Sequence, residues 1–210
     1  MTKLGGFPSA AENQRIVARL RPFDPQRFNL KPLKASSPST DVCVPAREAA
    51  QLARTAARLV GGLGGGLDVD GWPGDTLLWQ RGGNSLLVLP DQLALRLGDG
   101  VLAISLPVQC DQSEAVEVHV SFVVGDPRRP AGLMAVTEER PRGPAVVVDT
   151  WGEAIVAFCW HVVLQMATSL AAEAALDDDG AALIPVALYA TPEALVITPM
   201  ARHAFDRLGA

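Results

Sequence analysis

Histidine and cysteine are scarce in this 210-residue chain, with three of each. Cys43, Cys110 and Cys159 are odd in number, widely spaced and without a C-x-x-C pair. That argues against a disulfide framework and fits a reducing, cytoplasmic setting. The histidines never cluster with them at structural zinc spacing, so no metal site and no cofactor are expected. Aromatic residues make up only 5% of the chain. Lysine is rarer still, three against fifteen arginines, a bias that fits a GC-rich coding genome and need not be functional. No apolar run follows Lys3, so Met1–Ala10 does not read as a secretory signal. There is no internal repeat.

What is present is an apolar fraction of 49%, carried by Ala, Val, Leu and Gly, which is enough for a folded body without staples. Charge is divided along the chain. Residues 1–60 hold ten basic and four acidic side chains, a net of +6; residues 61–210 hold eight basic and nineteen acidic ones, a net of −11. A basic leader on an acidic body suggests an arm that docks on something acidic, a neighbouring copy included. The expected division is a basic, Pro-rich arm over residues 1–45 and an acidic globular domain over 46–210.

Within the arm, Ser9 and Glu12 offer a capping box for a short helix through Leu20. Beyond it Pro22, Pro25, Pro32 and Pro38 exclude regular structure. Arg21, Arg27, Lys31 and Lys34 alternate there with Phe23, Phe28, Leu30 and Leu33. A plain linker has no need of four large apolar residues, so the segment reads as an extended strap, with Arg21, Phe23, Arg27, Phe28, Leu30 and Leu33 as the partner-binding residues. Its net charge of +4, from seven basic and three acidic residues in 1–45, is modest, and the acidic body repels phosphate. Nucleic acid is therefore not the expected partner.

Residues 46–60 carry Leu52, Ala53, Ala56, Leu59 and Val60 at helical spacing, with Pro45 before them and Gly61–Gly62 after. From Leu67 to Asp149 the pattern changes to strands. Leu93, Leu95 and Leu97 alternate with Ala94 and Arg96, and Val116, Val118, Val120 and Phe122 with Glu117, His119 and Ser121. Turn chemistry at Arg81–Asn84, Pro90–Asp91, Asp99–Gly100, Asp126–Pro130 and Arg140–Pro144 favours an antiparallel meander. Thr150 and Glu153 form a capping box for a long helix through Leu176. Leu183–Tyr189 and Ala194–Thr198 read as a hairpin around Thr191–Pro192, and Ala201–Leu208 as a closing helix. The expected fold is α+β: an antiparallel β-meander with a long buried helix packed on it, preceded by an extended N-terminal arm.

Ala154–Ala172 is free of formal charge and near bilayer-spanning length. His161, Gln165, Thr168 and Ser169 interrupt it and its flanks are acidic, so no membrane span is expected. Apolar residues occupy nearly every side of this helix, which means burial on every side. One sheet covers one side, so a second copy is expected to help cover the rest: a homo-oligomer.

Chemistry-bearing constellations are sparse. The run Gly61, Gly62, Gly64, Gly65, Gly66 matches neither the dinucleotide nor the Walker pattern and reads as a connector. Glu117, His119 and Ser121 have the residue types of a triad, but neighbours two apart on a strand stand roughly 6.5 Å from one another, beyond hydrogen-bond reach. Cys159 and His161 diverge around the helix and cannot act as a nucleophile–base pair. Asp177–Asp179 lacks the alternation of a calcium loop. His161, Gln165 and Ser169 share one stripe of the long helix and mark a pocket or an interface. The element order is loosely similar to that of acidic dimeric secretion chaperones, a likeness of order without shared motifs. The expected role is a non-catalytic subunit or adaptor of a bacterial multi-protein assembly, of secretion, phage-tail or capsid-like kind, docking through its arm. The alternative is a small-molecule enzyme or binding protein with a pocket between sheet and long helix.

Overall fold

The computed structural model describes residues 41–63, 76–110, 113–126, 129–132, 140–175 and 183–201. The strap Arg21–Lys34, the capping box at Ser9, Gly64–Gly66, Asp177–Gly180 and all but the first residue of the proposed closing helix lie outside those residues. Ala201 itself ends a strand.

The described chain opens with strand β1, Val42–Pro45, and runs directly into helix α1, Ala46–Val60. Pro45 needs no backbone donor at this start, and the Gly61 N–H closes the helix on the Ala57 carbonyl. Ala49, Ala53, Ala56 and Ala57 form the buried face. Arg54 and Arg58 tie the helix to the segment before β4: Arg54 Nε donates to the Leu93 carbonyl at 3.0 Å, and Arg58 meets the Asp91 carboxylate at 3.3 Å.

Five strands follow: β2 Leu77–Arg81, β3 Asn84–Val88, β4 Ala94–Gly98, β5 Val101–Cys110 and β6 Ser113–Val123. The β2–β3 hairpin turns on Gly82 and Gly83, with φ of 57° and 85°, the left-handed pair that a two-residue turn demands. All pairings are antiparallel; β3 and β4 share one side of β5, and β6 takes the other. The chain then leaves this sheet. Gly125, at φ 86°, turns it into β7 Gly125–Asp126 and β8 Arg129–Gly132. These join β9 Leu183–Ala190, β10 Ala194–Ala201 and β1 in a second sheet ordered β1-β10-β9-β8-β7.

Helix α2, Ala145–Ala175, lies against both sheets and α1. It starts five residues before Thr150, because the Pro144 carbonyl already accepts the Val147 and Val148 amides. Thr150 is therefore interior and does not cap. On one side Phe122 meets Trp160 at 5.4 Å between centroids, and Trp79 meets Phe158 at 5.5 Å and Trp151 at 6.4 Å. Leu188, Leu195 and Ile197 of β9 and β10 belong to the same apolar cluster. No polar or charged side chain among the described residues is buried.

The antiparallel sheet with a long packed helix is as the sequence reads. The single sheet is not. A second sheet supplies the cover that the one-sheet reading assigned to another copy, so burial of α2 does not by itself require a partner. By length and composition α2 could cross a membrane. Here its apolar sides are occupied by α1 and the sheets. A further difference is the edge of the body: Val42–Pro45, read with the arm, is an edge strand paired to β10 from Val42↔Ile197 to Pro45↔Ala194.

Candidate functional site

A serine, a histidine and a glutamate come together on the outward face of the β2–β6 sheet. Leu102, Ile104, Leu106, Val118, Val120 and Phe122 point inward, which turns Ser105, Glu117, His119 and Ser121 outward. Register places Ser105 opposite His119. The Ser105 Oγ and His119 Nδ1 form a 2.7 Å hydrogen bond, and His119 Nε2 stands 4.0 Å from Glu117 Oε2. The serine beside the imidazole is thus Ser105, across the ladder, and not Ser121 along the strand. Ser105 carries no local signal; only the β5–β6 register reveals it.

The arrangement is held open to water. His119 and Glu117 are both more than half exposed, and 4.0 Å is too long for the direct bond that would orient a catalytic imidazole. Ser105 sits in a strand paired on both sides, with Ala94 and with His119, so its backbone amide belongs to the ladder. The His119 amide donates to the Arg142 carbonyl at 2.8 Å. An acyl-transfer site needs free amides aimed at a developing oxyanion, and these strands commit theirs to pairing. The bonds the row does make fasten Arg142, just before α2, to the edge of the sheet. Arg140 pairs with Asp149 in the first turns of the helix and fastens the same segment a second time.

His161, Gln165 and Ser169 are brought together on α2. All three are half-buried, as is Leu164, and Thr168 beside them is exposed. Gln165 Nε2 donates to Ser169 Oγ at 3.3 Å, and Thr168 Oγ1 to the Leu164 carbonyl at 2.8 Å. Burial lowers the His161 pKa, which favours the neutral ring. Among the described residues, the stripe is the side of the helix's second half that neighbours leave open. Glu173, at its C-terminal end, is exposed.

The thiols stand apart. Cys159 is fully buried, and desolvation pushes its thiol far above the ordinary value, so it behaves as a small apolar side chain. Cys43 is exposed on the outer face of β1, in a row with Val196 and Tyr189. Burial first, then the charges of Asp41 and Cys43, raise the Tyr189 pKa. Thr198 Oγ1 donates to Asp41 Oδ1 at 2.8 Å beside this row. Among the described residues no three His, Cys, Asp or Glu side chains gather as a metal site. The six arm residues from Arg21 to Leu33 lie outside the described residues.

Comparison of the chain with protein families, curated proteins and solved structures finds no match in any of the three.

Proposed function

We propose that this chain is a non-catalytic subunit or adaptor of a bacterial multi-protein assembly, which docks on a protein partner through its N-terminal arm and associates with its own kind through the β2–β6 sheet. One observation carries the reading. The outward face of that sheet exposes two apolar cross-strand pairs, Leu78–Leu87 and Val101–Val123, with Leu78 40%, Val101 37% and Val123 58% accessible. A strand face open to water normally alternates to polar residues, and each of these pairs, one toward either end of β5, departs from that. Support also comes from the arm, where four large apolar side chains sit among basic ones ahead of an acidic body.

Three sets of variants test the proposal. Phe23→Ala with Phe28→Ala should weaken assembly strongly, since buried aromatic anchors carry about 2 kcal/mol or more each. Neutralising Arg15, Arg19 and Lys34 should matter less and depend on salt. Each variant is measured for oligomer mass by light scattering and for retention of a generic oligonucleotide at two salt concentrations. Oligonucleotide binding that survives the aromatic changes and vanishes with the basic ones would overturn the protein-docking assignment. Val123→Glu tests the sheet face: a mass unchanged from wild type removes that face from the proposal.

A further inference from the structure

We infer that the outward face of the β2–β6 sheet docks on the same face of a second copy, about a two-fold axis that passes beside Ser105. Leu78 and Leu87 of each chain then cover Val101 and Val123 of the other, and Glu117 of each meets Arg142 of the other. This rests on the self-association proposed for that face and adds how the two copies meet.

The apolar pairs are placed for exchange. Register sets Leu87 opposite Gln109, with Leu78 one strand further out, and sets Val101 opposite Val123 on the other side of β5. At about 3.4 Å per residue and about 4.8 Å per strand, the two pairs lie about 27 Å apart along β5 and about 10 Å apart across it. Their midpoint is level with Ser105 and about half a strand spacing from it. Between the two ends the face is low, lined by Ala94, Ala103, Ser105 and Pro107. A two-fold axis lying in the interface at that midpoint exchanges the ends, so that one contact covers both apolar pairs of both chains. That is the isologous contact of a symmetric dimer.

Two further features agree with this axis, and neither enters its placement. The first is the crossing angle. The line joining the apolar pairs is tilted about 20° from β5, so the strands of the two copies cross at about twice that, about 40°. Chirality sets the sense. The His119 amide and carbonyl are bonded to Arg142, so those of Ser105, the residue opposite on β5, point the other way, to β4. For L-residues this puts β4 to the right of β5 and β6 to its left, viewed from outside with β5 running upward. The nearer strands are then turned clockwise on the farther ones, which is the negative crossing, roughly −30°, of stacked twisted sheets.

The second feature is charge. The bridge to His119 places Arg142 one strand spacing beyond β6 on this same face. The rotation that exchanges the apolar pairs carries Glu117 of one chain to within about 5 Å, measured in the plane of the sheet, of Arg142 in the other. Both side chains are exposed, and together they reach across the roughly 10 Å between stacked sheets. Two such pairs form, one on either side of the axis.

The experiment uses the full chain, with the dissociation constant of the dimer read from mass against concentration. Glu117→Arg alone and Arg142→Glu alone should each raise it about tenfold or more, since like charges then face each other across the interface. The double variant should restore it. In a Cys43→Ser, Cys110→Ser background, Ser105→Cys should be joined to its copy by a bis-maleimide that spans the roughly 10 Å gap, and Gln51→Cys on the exposed side of α1 should not. A double variant no better than the singles, or Ser105→Cys linked no faster than Gln51→Cys, overturns the register. Val123→Glu separates that failure from failure of the underlying reading. If it still splits the copies while the register tests fail, the face remains an interface and this geometry is discarded. A wild-type chain of monomeric mass, or Val123→Glu of unchanged mass, overturns both.

Discussion

The two helices solve burial in opposite ways. Helix α1 presents alanines to the interior and Arg47, Glu48, Arg54 and Thr55 to water, so its own sequence states which side faces in. Helix α2 is apolar almost all round, and its sequence states only that it is covered. Periodicity locates a helix against its surroundings when one face is polar; where no face is, the surroundings must be known first. The small face of α1 lets the helices approach closely, and the large face of α2 meets sheets through Trp151, Phe158 and Trp160. One contact depends on what is absent from the interface, the other on what fills it.

That contrast can be broken at its filled side first. Trp79→Ala removes the ring that joins β2 to Trp151 and Phe158, and should cost about 3–5 kcal/mol in urea unfolding. At the small side the damage comes from addition: Ala53→Leu, at a fully buried position, should cost about 1–3 kcal/mol, with the m-value unchanged. The smallest effect sharpens the reading of the open stripe. Burial holds the His161 pKa below its unfolded value, so the unfolded chain binds the proton more readily. Stability is full above the unfolded pKa of about 6.5 and declines as pH falls through the lower folded pKa. His161→Gln should flatten that decline, and an unfolding series between pH 7.5 and 5 reads the difference.

Several elements were legible because local chemistry and tertiary placement agree. Helix α1 spans the residues bounded by Pro45 and Gly61, and β4 and β6 follow their period-two alternation. Other features depend on distant partners. Four residues of β1 are too few to show alternation, and what makes them a strand is β10. The split into two sheets turns on the single left-handed Gly125, which resembles any other turn glycine in sequence. Thr150 and Glu153 look like a cap, but the Pro144 carbonyl starts the helix upstream of them. Ser105 became visible beside His119 only once the β5–β6 register was known, because side-chain neighbours in a sheet come from the adjacent strand.

The pairing of β1 with β10 imposes a schedule on synthesis. The Asp41–Thr198 bond joins positions 157 apart, so the outer strand of that sheet waits for the last described strand to leave the ribosome. The β2–β6 meander is made of short-range pairings and can close early; the sheet around β9 and β10 cannot. Until it does, the sheet-facing side of α2 is bare hydrocarbon on a nascent chain, the condition in which aggregation competes with folding.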